Sequence, residues 1–291
     1  MNFFRALFGG NKSKKEEKPN ESKNFDVLKY DGVRALKQHQ FDYAVQCFVH
    51  ALQLKSDDLE CRDYLSQAYI ALGDLSQAYE QLQLIADARP DNVAVLLRLA
   101  DVAYMMENYT AMADVAEKAL LVDDNNVQIY YYYAKACRGQ GDLTNAIAML
   151  TKALKLKDDF DTARLLRGEV LLENGDTDEA DEDADILLAR IEGNEDVCLL
   201  KARVLKAKGD AANAENMYNK VLEANPFCIE AFAERAIVRR QQGNEDGAKD
   251  DEATAEEMRA SAPQADEGIE QKITDLARRS IALMLLRATT T

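Results

Sequence analysis

The chain has 291 residues, 47% of them hydrophobic, and carries a formal net charge of −16. That acidity argues against nucleic acid as the main ligand, since phosphate binding needs clustered Lys and Arg, and it favours a neutral or basic partner. Five cysteines (Cys47, Cys61, Cys137, Cys198, Cys228) show no CxxC spacing, which argues against a disulfide framework and a zinc site, and a scarcity of Val, Ile and Thr runs argues against sheets.

Residues 1–24 read as a flexible tail. Phe3, Phe4, Leu7 and Phe8 fall on one helical stripe, Gly9-Gly10 can end the turn, and Lys12, Lys14, Lys15 and Lys18 follow. That is the shape of a weak peripheral membrane anchor or of a docking peptide for a partner's groove, and equally of a tail whose aromatics fold back on the body. Met1 to Phe8 is too short for a signal-peptide core, and no apolar run approaches the ~18 residues of a transmembrane helix. The chain is therefore expected to be cytoplasmic, in a reducing compartment where each thiol serves as a small apolar residue.

From Phe25 onward a ruler of 34 residues governs the chain. Its marks are His39-Gln40, Gly73-Asp74, Glu107-Asn108, Gly141-Asp142, Gly175-Asp176, Gly209-Asp210 and Gly243-Asn244. They divide residues 25–262 into seven units: 25–58, 59–92, 93–126, 127–160, 161–194, 195–228 and 229–262. Five residues beyond each mark stands Ala44, Ala78, Met112, Ala146, Ala180, Ala214 or Ala248, and seven before it Gly32, Ser66, Ala100, Ala134, Gly168, Ala202 or Ala236. Small residues at fixed helical positions let two backbones approach, and larger apolar residues fill neighbouring columns at helical spacing. Each unit thus predicts two antiparallel helices of roughly 12 to 14 residues, the glycine supplying the left-handed conformation that ends the first. Pro90 and Pro226 stop second helices at unit junctions. Residues 263–291 predict a capping helix over Asp266 to Arg287, with Ile269, Ile273, Leu276 and Ile281 on one face and an all-round apolar run from Ile281 to Leu286.

This layout resembles the tetratricopeptide repeat, a helix pair with small residues at the crossing, a Gly-Asp-like turn, a later Ala and a Pro near the end. The resemblance covers residues 25–262. It implies an all-α, right-handed superhelical solenoid of seven helix pairs plus the C-terminal cap, with first helices lining a concave surface. The departures are the absence of Trp, the polar or small residues Arg62, Arg164 and Cys198 in a column the family usually makes large and apolar, and prolines at only two junctions. The fifth and seventh units depart most, through Arg164, Arg167, Arg239 and Glu252, and are where looser packing or an unusual partner surface is expected.

The same resemblance selects the inward side chains of the first helices as a partner-binding groove: Tyr64, Arg98 and Tyr104, then Tyr131, Tyr132, Lys135 and Arg138, then Arg203, Lys206 and Arg240. Tyr and Arg are the types that most often anchor interfaces. Of the four consecutive tyrosines from Tyr130, each turned ~100° from the last, Tyr131 and Tyr132 are expected in the groove. Charges there alternate from Lys135 and Arg138 to Glu169 and Glu173 to Arg203 and Lys206, which fits either a peptide with two separated acidic points or neutralisation between neighbouring units. A two-carboxylate clamp, carried by some members of that family, finds only Lys29 in place. Phosphate-cradling, nucleophile-elbow and metal signatures are absent, His39 and His50 read as surface residues, and the acidic stretch from Gly175 to Asp185 reads as a solvated helix. The expected function is a non-catalytic scaffold without cofactor, holding a peptide or helical segment of a protein partner. The alternatives are a self-associating module, or an adaptor subunit of an enzyme or of a membrane-associated complex.

Overall fold

A computed structural model describes residues 14–261, which form fourteen α-helices and, among the described residues, no strand. In pairs they are α1 (Lys14–Lys37) and α2 (Phe41–Leu54), α3 (Leu59–Leu72) and α4 (Leu75–Ala88), α5 (Val93–Met105) and α6 (Tyr109–Val122), and α7 (Val127–Gly139) and α8 (Leu143–Leu156). Then follow α9 (Asp161–Asn174) and α10 (Thr177–Arg190), α11 (Glu195–Ala207) and α12 (Ala211–Ala224), and α13 (Ile229–Gln241) and α14 (Glu245–Ser261). The chain divides into two compact units, with the boundary between Val95 and Leu96 inside α5.

The hinge within each pair explains the ruler. Gly73, Gly141, Gly175, Gly209 and Gly243 all have positive φ, and so do His39 (58°) and Glu107 (55°) at the two marks that lack glycine. In all seven hinges the next residue's N–H donates back five residues, to the carbonyl of Ala35, Tyr69, Ala103, Cys137, Leu171, Leu205 or Arg239, each at 2.9 Å. This is the bond that closes a helix on a left-handed residue. The Asx half of the mark then opens the second helix: Asp74, Asn108, Asp142, Asp210 and Asn244 each accept a backbone N–H three residues on. One dipeptide ends a helix and caps the next.

Within the first unit α1 packs on α2 and α3, α2 on α3, and α3 on α4, around Phe25, Phe48, Leu52 and Leu65. Within the second, each helix from α6 to α13 packs on its successor, and α9 also meets α11, so these two first helices lie side by side. The seven side chains from Ala44 to Ala248 in the small column are fully buried. The chain crossing needs that smallness: a Cβ on Gly32 would stand 2.6 Å from the Phe48 ring.

At the N-terminus α1 begins at Lys14, within the stretch 1–24 expected to be a flexible tail. Phe3, Phe4, Leu7 and Phe8, and the predicted cap from Asp266 to Arg287 with its run Ile281 to Leu286, lie outside the described residues.

Candidate functional site

The second unit gathers most of the predicted groove residues on α5, α7, α9 and α11. Of the four tyrosines that open α7, Tyr130 is buried and donates its hydroxyl to the Asp124 carbonyl at 2.9 Å, while Tyr133 reaches back to Glu117 on α6 at 2.5 Å. That bond and partial burial push the Tyr133 phenol up to about 12. The remaining two, Tyr131 and Tyr132, meet edge to face at 6.1 Å, and Tyr131 also contacts Phe160. Tyr132 donates to the Asp101 carboxylate of α5 at 3.2 Å. Burial raises the Asp101 carboxyl above its ordinary range, although Tyr132, Lys135 and Arg98 all pull it down.

One turn on, the Lys135 ammonium lies 3.3 Å from the centroid of the Tyr104 ring and within 6 Å of both the Tyr131 and Tyr132 rings. This is cation–π geometry, favourable because ring faces carry negative potential. Burial nevertheless lowers the Lys135 pKa, with Asp101 opposing the shift.

Beside this cluster Arg138 forks onto two carboxylates of α9, reaching Glu169 at 2.8 Å and Glu173 through two nitrogens, one of them at 3.2 Å. Arg138, Glu169 and Glu173, with Asp196, Leu199 and Arg203 of α11, line a recess of about 200 Å³. Arg203 and Lys206 in turn converge on Glu234 of α13, Arg203 at 2.8 and 3.0 Å and Lys206 at 3.0 Å, and Tyr218 of α12 donates to the same carboxylate at 2.7 Å. Burial alone would raise the Glu234 carboxyl, but hydrogen bonds from Arg203, Tyr218 and Lys206 outweigh it and hold the group below its ordinary value. The alternating charges are thus largely spent on one another, α7 to α9 and α11 to α13.

The other predicted residues lie apart from the recess. Arg98 sits half-buried on α5, where its charge acts on Asp101. Arg240 is turned to α14 of its own pair, bonding Glu252 at 2.8 Å. Tyr64 belongs to the first unit, stacked on Phe48 at 5.7 Å with its hydroxyl on Glu60. There Lys29, the one residue that fitted a clamp, is bound by Asp58 and Glu60.

The expectation of looser packing in the fifth and seventh units is corrected. Asp183 of α10, 1% exposed, receives Arg164 at 3.1 Å and Arg167 at 2.6 and 2.7 Å. Two periods on, Asp251 of α14 receives Arg235 at 2.6 and 2.9 Å and Arg239 at 3.0 Å. These arginines point into the seam of their own helix pair because a carboxylate stands opposite them, so an ion pair takes the place of an apolar contact there. Glu234 was likewise missed, although its column holds Tyr132, Leu166 and Leu200 elsewhere, and an acid in that company was a readable signal. The five cysteines are free and buried, and burial pushes the Cys61 thiol up to about 12.

Three family models, each described as tetratricopeptide repeat, match residues 35–96 and 138–182, residues 97–159, and residues 195–228. Among curated proteins, DnaJ homolog subfamily C member 3 of Homo sapiens is 43% identical over 61 residues, 21% of this chain and 12% of that protein. Its Gallus gallus counterpart is 21% identical over 273 residues, 92% of this chain and 51% of that protein. The chain spans about half or less of the curated relatives it matches. Among solved structures, a tetratricopeptide repeat protein from Parabacteroides merdae aligns with a TM-score of 0.68 at 14% identity, over 90% of this chain and 99% of that one. PilW, a type IV pilus biogenesis factor, aligns at 0.62 with 18% identity, over 72% and 96%. YrrB, described as having an unusual peptide-binding site, aligns at 0.52 with 14% identity, over 68% and 97%. Likeness at these identities establishes the fold, an all-α repeat solenoid.

Proposed function

The chain belongs to the tetratricopeptide-repeat family, and from that premise we propose that it is a non-catalytic scaffold whose second unit receives a peptide or helical segment of a partner protein across α5, α7, α9 and α11. One observation carries the reading: the exposed Tyr104 and the half-buried Tyr131, Tyr132 and Lys135 stand beside a recess of about 200 Å³ lined by Arg138, Leu199 and Arg203. Aromatic rings and guanidinium groups offer large contact area with directed hydrogen bonds, the composition that anchors protein interfaces. An extended segment laid across parallel first helices would meet the rings first and the charged recess next. That a solved relative in fold is described as peptide-binding agrees with this use of the architecture.

The test is affinity capture from the native host with the wild-type chain and with Tyr131→Ala and Arg138→Ala, each variant checked for unchanged helicity. Partners that depend on this face are expected to be lost from both variants. Capture of the same set by wild type and both variants rules the face out.

A further inference from the structure

The four basic side chains that face inward on α7 and α11 differ in one respect. Arg138 is bound by Glu169 and Glu173, and Arg203 and Lys206 by Glu234. Lys135 has three rings around it, at 3.3, 5.6 and 5.9 Å, and among the described residues its ammonium makes no hydrogen bond or ion pair. An ammonium has three N–H donors, and ring faces attract its charge without accepting those hydrogens as an oxygen does. The nearby Asp101 carboxylate is taken by the Tyr132 hydroxyl and acts on Lys135 through space alone. Lys135 is half-buried, which removes part of the ammonium's water and lowers its pKa.

We propose that Lys135 is the seat for a side-chain carboxylate of the bound segment, an Asp or Glu whose neighbours in the partner lie against the Tyr104 and Tyr131 rings. The inference rests on the proposed use of this face for peptide binding and specifies its chemistry. An incoming carboxylate supplies the missing acceptor, and the pairing is strong because the cation is already partly desolvated and held in place. A side chain suits the site better than a chain terminus, because α5 lies on one side of α7 and α9 on the other, so a segment crossing α7 continues in both directions. A partner cation fits poorly, since the ring faces are already occupied by Lys135. The net charge of −16 repels any acidic segment at long range, a background that salt screens and that wild type and Lys135 variants share.

The experiment follows the Lys135 side-chain methylene resonance by NMR, assigned through its disappearance in Lys135→Gln and moved by the Tyr104 ring current. Capped tetraglutamate, tetraglutamine and tetralysine are titrated to millimolar concentration into the full chain. Tetraglutamate is expected to shift the resonance and tetraglutamine to leave it in place. Affinity for tetraglutamate should fall about tenfold in Lys135→Gln, the size of one charged hydrogen bond, and persist in Lys135→Arg. Equal affinity of wild type and Lys135→Gln overturns the proposal, as does an unmoved resonance. Tighter binding of tetralysine to Lys135→Gln than to wild type also overturns it, because the rings would then be a cation cage that Lys135 plugs. The face itself is judged by the capture comparison: partners lost with Tyr131→Ala but kept with Lys135→Gln remove the carboxylate seat and leave the binding face standing.

Discussion

Replacing Asp183 by Ala removes the common anion of two arginines. Asp183 and Arg164 are 1% and 4% exposed, and Arg167 is 21% exposed, so the guanidinium groups regain little water when the carboxylate goes. Stripping one partner from a buried pair costs about 3–5 kcal/mol. Arg164 keeps a second carboxylate, Asp158 at 2.6 Å, which places the expected loss at the lower end, about 3 kcal/mol. The chain also displays the apolar solution to the same seam: two periods earlier the columns of Arg164, Arg167 and Asp183 hold Leu96, Leu99 and Val115, all buried. The triple variant Arg164→Leu, Arg167→Leu, Asp183→Val removes every charge of the cluster that lies in the seam, and with it the buried Nε of Arg164, which finds no acceptor among the described residues. It is expected within about 1 kcal/mol of wild type, or above it, because desolvation nearly cancels the attraction in such clusters. Urea unfolding followed by far-UV circular dichroism measures both, with amide exchange on α9 and α10 to localise the change, since repeats open semi-independently. A single-variant loss below about 1 kcal/mol, or a triple variant as unstable as the single, would refute this account of the seam.

Glu107→Gly relieves a left-handed L-residue at φ 55°; the strain of about 1–2 kcal/mol exceeds the added freedom of glycine in the unfolded chain, so a gain of about 0.5–1 kcal/mol is expected. Gly141→Ala, at φ 79°, should move the same urea midpoint the opposite way. Acid titration of stability reports on Glu234: its folded pKa is depressed, so its contribution is complete above the ordinary glutamate value and is lost as pH falls through the lower folded one. Glu234→Gln should flatten that acid limb, and an unchanged limb counts against the assignment. Gly32→Ala drives a Cβ to within 2.6 to 2.9 Å of three Phe48 ring atoms; overpacking outweighs the helix propensity gained, for a net loss of about 1 kcal/mol in thermal or urea melts.

What could be read in advance divides along a physical line. Hinges were legible because their chemistry is local: a left-handed residue and an Asx cap sit side by side, and phase alone carried the pattern through His39 and Glu107, whose residue types give no such signal. Tyr130 to Tyr133 were half legible, since rotation along a helix separates two faces but does not say that Tyr133 reaches back to Glu117. The cluster at Asp183 was not legible from a first helix read by itself. Arg164 and Arg167 are polar residues out of place until the second helix is laid against them, 19 and 16 residues away. Glu234 needed side chains from α11, α12 and α13 together.

Because every hinge is closed by bonds spanning only six residues, no joint depends on the hairpin before or after it. A block of 34 residues can therefore be copied or deleted without rewriting a single turn. Selection would act instead on the ion pairs that cross from one hairpin to the next, Arg138 on Glu169 and Glu173 or Arg203 and Lys206 on Glu234, where a unit copied alone leaves a charge without its partner. The clusters at Asp183 and Asp251 travel whole within their own hairpins, whereas the crossing pairs restrict which hairpins may be exchanged, much as a keyed joint does.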